Sequence, residues 1–161
     1  MLDELRKNDW TPKSVNRKSR ALSEAIRKVE GRYGRDARDS EVMQEMGISS
    51  EEYHQILQDG RNSNLFSLEA MGFEDFGMPN QSHHKDDDPL KNVQSGNMKN
   101  RLTTSIRGLP ERERIVVSLY YDMELNLREI GEVIGVSESR TSQLMSQALA
   151  RLRARMHEWI P

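Results

Sequence analysis

The sequence predicts an all-α fold in which two small helical domains are joined by a flexible linker. Three observations support this prediction. Apolar residues recur at helical spacing towards both ends of the chain. Glycines and N-cap residues punctuate these segments where helices should end and begin. The middle, residues 61–98, shows no sustained period and is rich in Gly, Asn, Ser and Asp. A chain of 161 residues is long enough for one or two such domains.

Composition limits the class of protein. Hydrophobic residues make up 35% and charged residues 31% of the chain, so any core is small. Cysteine is absent, which excludes disulfides and cysteine-based zinc sites and fits a reducing cytoplasm. No apolar run is long enough to span a bilayer, and the N-terminus lacks the apolar core of a signal peptide. We therefore expect a cytoplasmic chain with no membrane contact.

Residues 11–60 are predicted to form a three-helix domain. Pro12 suits the start of the first helix, which should end at the glycines of residues 31–34. Asp39 opens the second helix and Gly47 closes it. Ser49 is a good N-cap for the third helix, which carries two glutamates in its first turn.

The first of these helices begins with a cluster of positive charge. Lys13, Arg17, Lys18 and Arg20 precede its first acidic residue, Glu24. Such a cluster faces either solvent or a phosphate backbone. Composition favours neither alternative over the other.

The middle segment, residues 61–98, is acidic and is predicted to be a largely extended linker. It contains six Asp and Glu residues against three Lys and Arg residues. The acidity either belongs to a solvated linker or imitates the charge of DNA. Adjacent His83 and His84 on a flexible chain cannot both converge on one ion, so we interpret that run as solvated and predict no metal site.

Residues 99–161 are predicted to form a four-helix domain. Leu102, Ile106 and Leu109 mark its first helix, and Pro110 sits at the start of the second. The chain shows no Gly-rich phosphate loop, no Gly-x-Ser-x-Gly and no His-Glu-x-x-His. The sequence therefore predicts neither enzymatic activity nor a cofactor.

The last two helices have the layout of a helix-turn-helix, from Leu125 to Arg155. Gly131 should let the two helices approach closely, and Gly135 can take the positive φ of a helix C-cap. Ser137 is a good N-cap for the second helix. In DNA-binding proteins of this layout, the second helix lies in the major groove.

The charge of the second helix favours DNA binding over a purely structural helical hairpin. Its start is small and polar, and no acidic residue occurs between Ser139 and His157. Four arginines lie in the same stretch. This one-sided charge matches a surface that faces phosphates.

Three passages together resemble bacterial sigma factors of RNA polymerase, in the flagellar or motility class. They are MLDELRKNDWTPKSVNRKSR at residues 1–20, NSNLFSLE at 62–69, and the stretch at 109–153 that begins LPERERIVVSLYY. By this resemblance, residues 1–10 are the tail of region two, 11–60 are region three and 99–161 are region four. Region two is otherwise missing, which implies a fragment whose Met1 is an internal methionine or an engineered start.

The resemblance implies a role in transcription initiation. Sigma factors bind core RNA polymerase and direct it to promoters, region four reading the −35 element and region three lying near the upstream edge of the −10 element. An anti-sigma factor that wraps regions three and four is the alternative partner. An independent one-domain regulator is a weaker alternative. The helix at 111–121 resembles the surface that docks on the polymerase flap, although simple core packing explains most of its apolar residues.

The resemblance and the chemistry of the side chains assign individual roles. Arginine pairs with guanine, glutamine with adenine and glutamate with cytosine, while serine pairs with several bases. Thr141 departs from the family pattern, which usually has Val or Ile at that position. The implied base-reading residues are Glu138, Ser139, Arg140 and Gln143; the phosphate contacts are Ser137, Arg151 and Arg153; and Lys13 and Arg17 lie near the −10 element.

Overall fold

The structure is a computed structural model that describes residues 13–63 and 89–157. Both ranges are helical and contain no strand, which confirms the predicted all-α class. Three predictions fall outside the described residues. They concern the tail of region two at residues 1–10, the part of the linker at residues 64–88, and the His83-His84 pair within it. The described helices are α1 (Lys13–Tyr33), α2 (Asp39–Met46), α3 (Ser50–Asn62), α4 (Pro89–Arg107), α5 (Glu111–Tyr121), α6 (Leu127–Ile134) and α7 (Glu138–Arg155).

Helices α1 to α3 form the first unit, with the ends that the sequence predicts. Gly47 adopts a left-handed φ of 67° and closes α2, a conformation that glycine enters without a Cβ clash. The Ser49 hydroxyl accepts a hydrogen bond from the backbone N–H of Glu52 at 3.2 Å and caps α3. The core of this unit contains Leu22, Ile26, Val29, Val42, Tyr53, Ile56 and Leu57.

Helices α4 to α7 form the second unit, and its first helix is longer than predicted. Helix α4 begins at Pro89, about three helical turns before the predicted end of the linker at residue 98. The sequence did not predict this start, because residues 89–98 carry no continuous apolar face. The end of α4 contributes the buried residues Leu102 and Ser105, and this packing holds the helix.

Helix α7 is the centre of both units. Every residue from Leu144 to Leu152 is buried, so the helix is covered around its whole circumference. Helices α4, α5 and α6 of the second unit cover one side, and α1 and α3 of the first unit pack against the other. The two units thus share one helix as their common core.

No described helix has the length and apolarity that a bilayer span requires.

Candidate nucleic-acid interface

The turn between α6 and α7 has the predicted geometry. Gly135 closes α6 with a φ of 77°, and its N–H donates to the carbonyl of Gly131. A Cβ on Gly131 would lie 2.7 Å from the carbonyl oxygen of Val136, closer than real Cβ contacts allow. Both glycines are therefore required by the backbone, which confirms the roles predicted for them.

Side-chain caps fix the start of α7. The Ser137 hydroxyl accepts from the backbone N–H of Arg140 at 3.1 Å, as predicted for an N-cap. Thr141 is fully buried, and its hydroxyl donates to the Ser137 carbonyl at 2.9 Å. Because that bond satisfies the hydroxyl, threonine can occupy a core position where the family usually has an aliphatic residue.

The candidate base-reading residues are grouped at the exposed start of α7. Residues 137–140 are exposed, and Gln143 is half-buried one turn further along. Arg140 Nη1 donates to Gln143 Oε1 at 3.3 Å, which orients both polar ends together. This face presents guanidinium, amide, hydroxyl and carboxylate groups within about two turns of the helix N-terminus.

A cleft of about 420 Å³ runs along the base-reading face and has α3 as its opposite wall. Glu138, Ser139 and Gln143 line one side. The first unit supplies the other side through His54, Leu57, Gln58 and Arg61. Helix α3 thus lies beside the side chains that the sequence assigns to DNA.

Arg151 lies away from this face, in the interface between the units. Its side chain is 8% exposed, and its Nε donates to Glu113 Oε1 at 3.2 Å. Its two Nη atoms lie 3.8 Å from carboxylate oxygens of Glu30 and Asp39. In this arrangement Arg151 cannot make the predicted phosphate contact, because its guanidinium is buried and surrounded by carboxylates.

Arg155 makes a second set of bonds across the same interface. Its Nη2 donates to Glu30 Oε1 at 3.0 Å and also to Asp36. Its Nη1 donates to the carbonyl of Ser105 at 3.2 Å, which ties α4 to the same point. One arginine thus connects α1, the loop before α2, and α4.

Asp39, at the start of α2, links α3 and α7. Gln147 Nε2 donates to Asp39 Oδ2, and the Tyr53 hydroxyl donates to Asp39 Oδ1, both at 2.9 Å. Burial, followed by the negative charge of Asp39, raises the pKa of Tyr53. The tyrosine therefore remains a neutral donor.

Glu113 is the most deeply buried carboxylate of the interface. Its side chain is 5% exposed, and its Oε2 has no hydrogen-bond partner among the described residues. Burial raises the pKa of Glu113 to about 7; the charge of Arg151 opposes this shift and that of Asp39 adds to it.

The remaining predicted residues lie on the outer surface of the two units. Arg153 is half-buried, and burial together with the like charge of Arg20 lowers its pKa. Lys13 and Arg17 are exposed at the start of α1, where with Arg20 they line a shallow depression. Lys13 and Arg17 therefore line a different depression from the cleft beside Glu138, Ser139 and Gln143.

The interface residues escaped the sequence prediction, although one signal was available. Gln147, Arg151 and Arg155 are spaced by four and form a polar stripe on α7. The stripe could be seen in the sequence, but its acidic partners more than a hundred positions away could not. Among the described residues, no group of His, Asp and Glu could hold a metal ion.

Comparisons with known protein families show the class of protein to which the chain belongs. Residues 17–88 match the family model described as Sigma-70 region 3, and residues 105–154 match Sigma-70, region 4. The chain belongs to the sigma-70 family of RNA polymerase sigma factors.

Its relatives narrow the class to flagellar sigma factors. The chain is 49% identical to RNA polymerase sigma factor FliA of Pseudomonas aeruginosa, over 99% of its own length and 65% of the relative. It is 49% identical to FliA of Yersinia enterocolitica over 98% of the chain and 69% of the relative. RNA polymerase sigma-D factor of Bacillus subtilis is 35% identical over 95% and 62%. The chain thus spans about two thirds of these relatives.

Two solved structures, a cocrystal structure of the flagellar sigma/anti-sigma complex Sigma-28/FlgM and a Sigma-28(FliA)/FlgM complex, also match. Both are 32% identical and cover 96% of this chain and 66% of the other, with TM-scores of 0.49 and 0.46.

Proposed function

We propose that the chain is the promoter-recognition part of a flagellar-type sigma factor, which directs core RNA polymerase to motility promoters for transcription initiation. The exposed polar start of α7, held in a helix-turn-helix, carries the proposal. Glu138, Ser139 and Arg140 are exposed there and can reach base edges in a major groove. Family membership supports the same role.

The proposed roles of the other residues follow from their exposure. Ser137 lies at the N-terminus of α7, where backbone N–H groups favour a phosphate. Arg153 is a second proposed phosphate contact, and Lys13 and Arg17 are proposed contacts near the −10 element. Arg151 is a proposed phosphate contact only when the two units are apart, because it is buried between them in this arrangement.

The proposed activity is binding, without catalysis or a cofactor. Promoter recognition needs complementary hydrogen bonds and phosphate contacts, and neither requires a reacting group. Such a chain works on the chromosome and its polymerase, which in bacteria means the cytoplasm.

Binding to duplexes with a matched and a scrambled −35 element tests the proposal. Arg140→Ala and Gln143→Ala should each reduce the preference for the matched duplex by about 1–3 kcal/mol. Lys28→Ala is the matched control, because Lys28 is an exposed cation on α1 that forms an exposed ion pair with Glu24 of the same helix. Unchanged preference in both α7 variants would overturn the proposal.

We also propose an anti-sigma factor as a partner, because apolar side chains are exposed on α5 and α6. Tyr120 is 40%, Met123 64% and Val133 63% exposed, and they lie on or beside neighbouring helices. Calorimetric titration with the FlgM of a FliA relative should give a binding heat that Met123→Asp and Val133→Asp reduce. The absence of heat with the unmodified chain would remove this partner.

A further inference from the structure

The interface between the two units contains a charged cluster with more carboxylates than guanidinium groups. We call this set the interface cluster. It comprises Glu30, Asp36 and Asp39 of the first unit and Glu113, Arg151 and Arg155 of the second. Four carboxylates therefore surround two guanidinium groups, and the fully ionised cluster has a net charge of −2.

The excess of negative charge is least compensated at Glu113. Glu113 Oε2 lies 3.2 Å from Arg151 Nε and Arg151 Nη1 lies 3.8 Å from Glu30, but neither buried atom makes a hydrogen bond among the described residues. Asp36 and Asp39 are 41% and 37% exposed, so water still solvates them. Glu113 has no such access, and Arg151, the cation that contacts it, also lies within 4 Å of Glu30 and Asp39. A proton at Glu113 would remove one buried charge from the cluster.

We propose that closure of the two units takes up a proton at Glu113, so that the closed arrangement is favoured as the pH falls from 8 to 6.

The groups that face Glu113 come from three helices. Arg151 and Arg155 of α7 favour its ionised form, whereas Asp39 of α2 opposes it. Tyr53 of α3 also lies within electrostatic reach. When the units separate, Asp39 of the first unit moves away from Glu113, while Arg151 stays on the same domain as Glu113. Separation therefore removes the negative charge that raises the pKa of Glu113 and retains the main group that lowers it.

The direction of the pH effect follows from this asymmetry. In the closed arrangement burial and the charge of Asp39 raise the pKa of Glu113 from its ordinary value of 4.5 to about 7, and separation lowers it again. The closed form then binds more protons than the open form between these two values, and the stability of closure is lost as pH rises through about 7. Between pH 6 and pH 8 the ratio of closed to open chains should fall about tenfold.

The consequence for DNA follows from the position of α3. In the closed arrangement α3 lines the cleft beside Glu138, Ser139 and Gln143. A major groove admits one helix with a phosphate wall on each side, so α3 occupies space that DNA would need. Proton uptake at Glu113 would thus disfavour promoter binding, although the proton coupling itself does not depend on the proposed function.

Energy transfer between two labels measures closure directly. The chain has no cysteine, so E52C on α3 and V133C on α6 place one exposed label on each unit without side reactions. Transfer in the otherwise unmodified chain should fall as pH rises from 6 and should level off above the Glu113 pKa of about 7. A flat profile across this range would overturn the proposal.

Variants assign the step to Glu113. Glu113→Gln mimics the protonated form and should stay closed at both pH values, whereas Glu111→Gln, an exposed change in the same turn, should keep the step. His54→Gln removes a histidine that lines the cleft and should also keep it. A step that persists in Glu113→Gln or disappears in His54→Gln would overturn the proposal.

If circular dichroism shows that Glu113→Gln does not fold, a second variant tests the proposed role of Glu113. Asp39→Asn removes a carboxylate that raises the pKa of Glu113, so the transfer should level off at a lower pH. A profile that still levels off near pH 7 would contradict the proposed cluster.

Discussion

Arg151 shows how much a single side chain contributes when carboxylates surround it. It lies between Glu113, Glu30 and Asp39, which come from three different helices, and only 8% of its side chain is exposed. Such a group is expensive to bury alone but also expensive to remove, because its partners would then be buried without a counter-charge. Its contribution therefore depends on the whole interface cluster.

We predict that Arg151→Ala lowers the free energy of unfolding by about 3–5 kcal/mol at pH 7.5, the range for breaking a buried ion pair. Urea denaturation followed by circular dichroism measures the loss. Arg128→Ala is the matched control, because the Arg128–Glu132 pair is 79% and 72% exposed and should contribute less than about 1 kcal/mol. Equal losses in the two variants would show that the cluster is not a structural core.

At the scale of the element, the helix-turn-helix depends on a glycine contact. Gly131→Ala would bring a Cβ to 2.7 Å from the Val136 carbonyl, which is backbone and cannot rotate away. We predict a loss of about 1–3 kcal/mol in thermal denaturation, as for overpacking elsewhere. Gly31→Ala, also within a helix but with nothing within 4 Å, should instead stabilise by about 0.5–1 kcal/mol. A neutral Gly131→Ala would show that the turn can relax.

Helix ends were predictable because their causes are local. Gly47, Ser49, Gly135 and Ser137 act on their own backbone, and the structure confirms each of them at the predicted position. The start of α4 was not predictable, since residues 89–98 offer no apolar period and α4 is held by packing near Leu102. Local chemistry thus fixes caps, while tertiary packing fixes the length of a weakly patterned helix.

At the scale of the molecule, the arrangement of the units could not be deduced from the sequence. The apolar stripe of α7 indicated one buried face, yet Ser146, Gln147 and Arg151 on the remaining surface are buried as well. Such polar side chains normally face water, so the positive charge of Arg151 was interpreted as favouring DNA. Their acidic partners are distant in sequence, and no local pattern reports a pairing of that kind. Glu138, Ser139 and Arg140, by contrast, are exposed at the start of α7, and their role in reading bases stays a prediction.

The closed arrangement predicts that holding the units together excludes DNA. His54 of α3 and Ser142 of α7 line the same cleft and are both partly exposed, so a short thiol cross-linker can join H54C and S142C in a chain without other cysteines. We predict that cross-linking weakens binding to a −35 duplex by at least about tenfold, or 1.4 kcal/mol, because α3 then cannot leave the face of α7.

The same variant treated with a monofunctional thiol reagent is the control, since it carries the added groups without the bridge. Equal binding by the bridged and unbridged forms would mean that α7 reaches DNA without separation of the units. In that case the phosphates would have to approach α7 past α3, and Arg61 at the mouth of the cleft would become the side chain to test next.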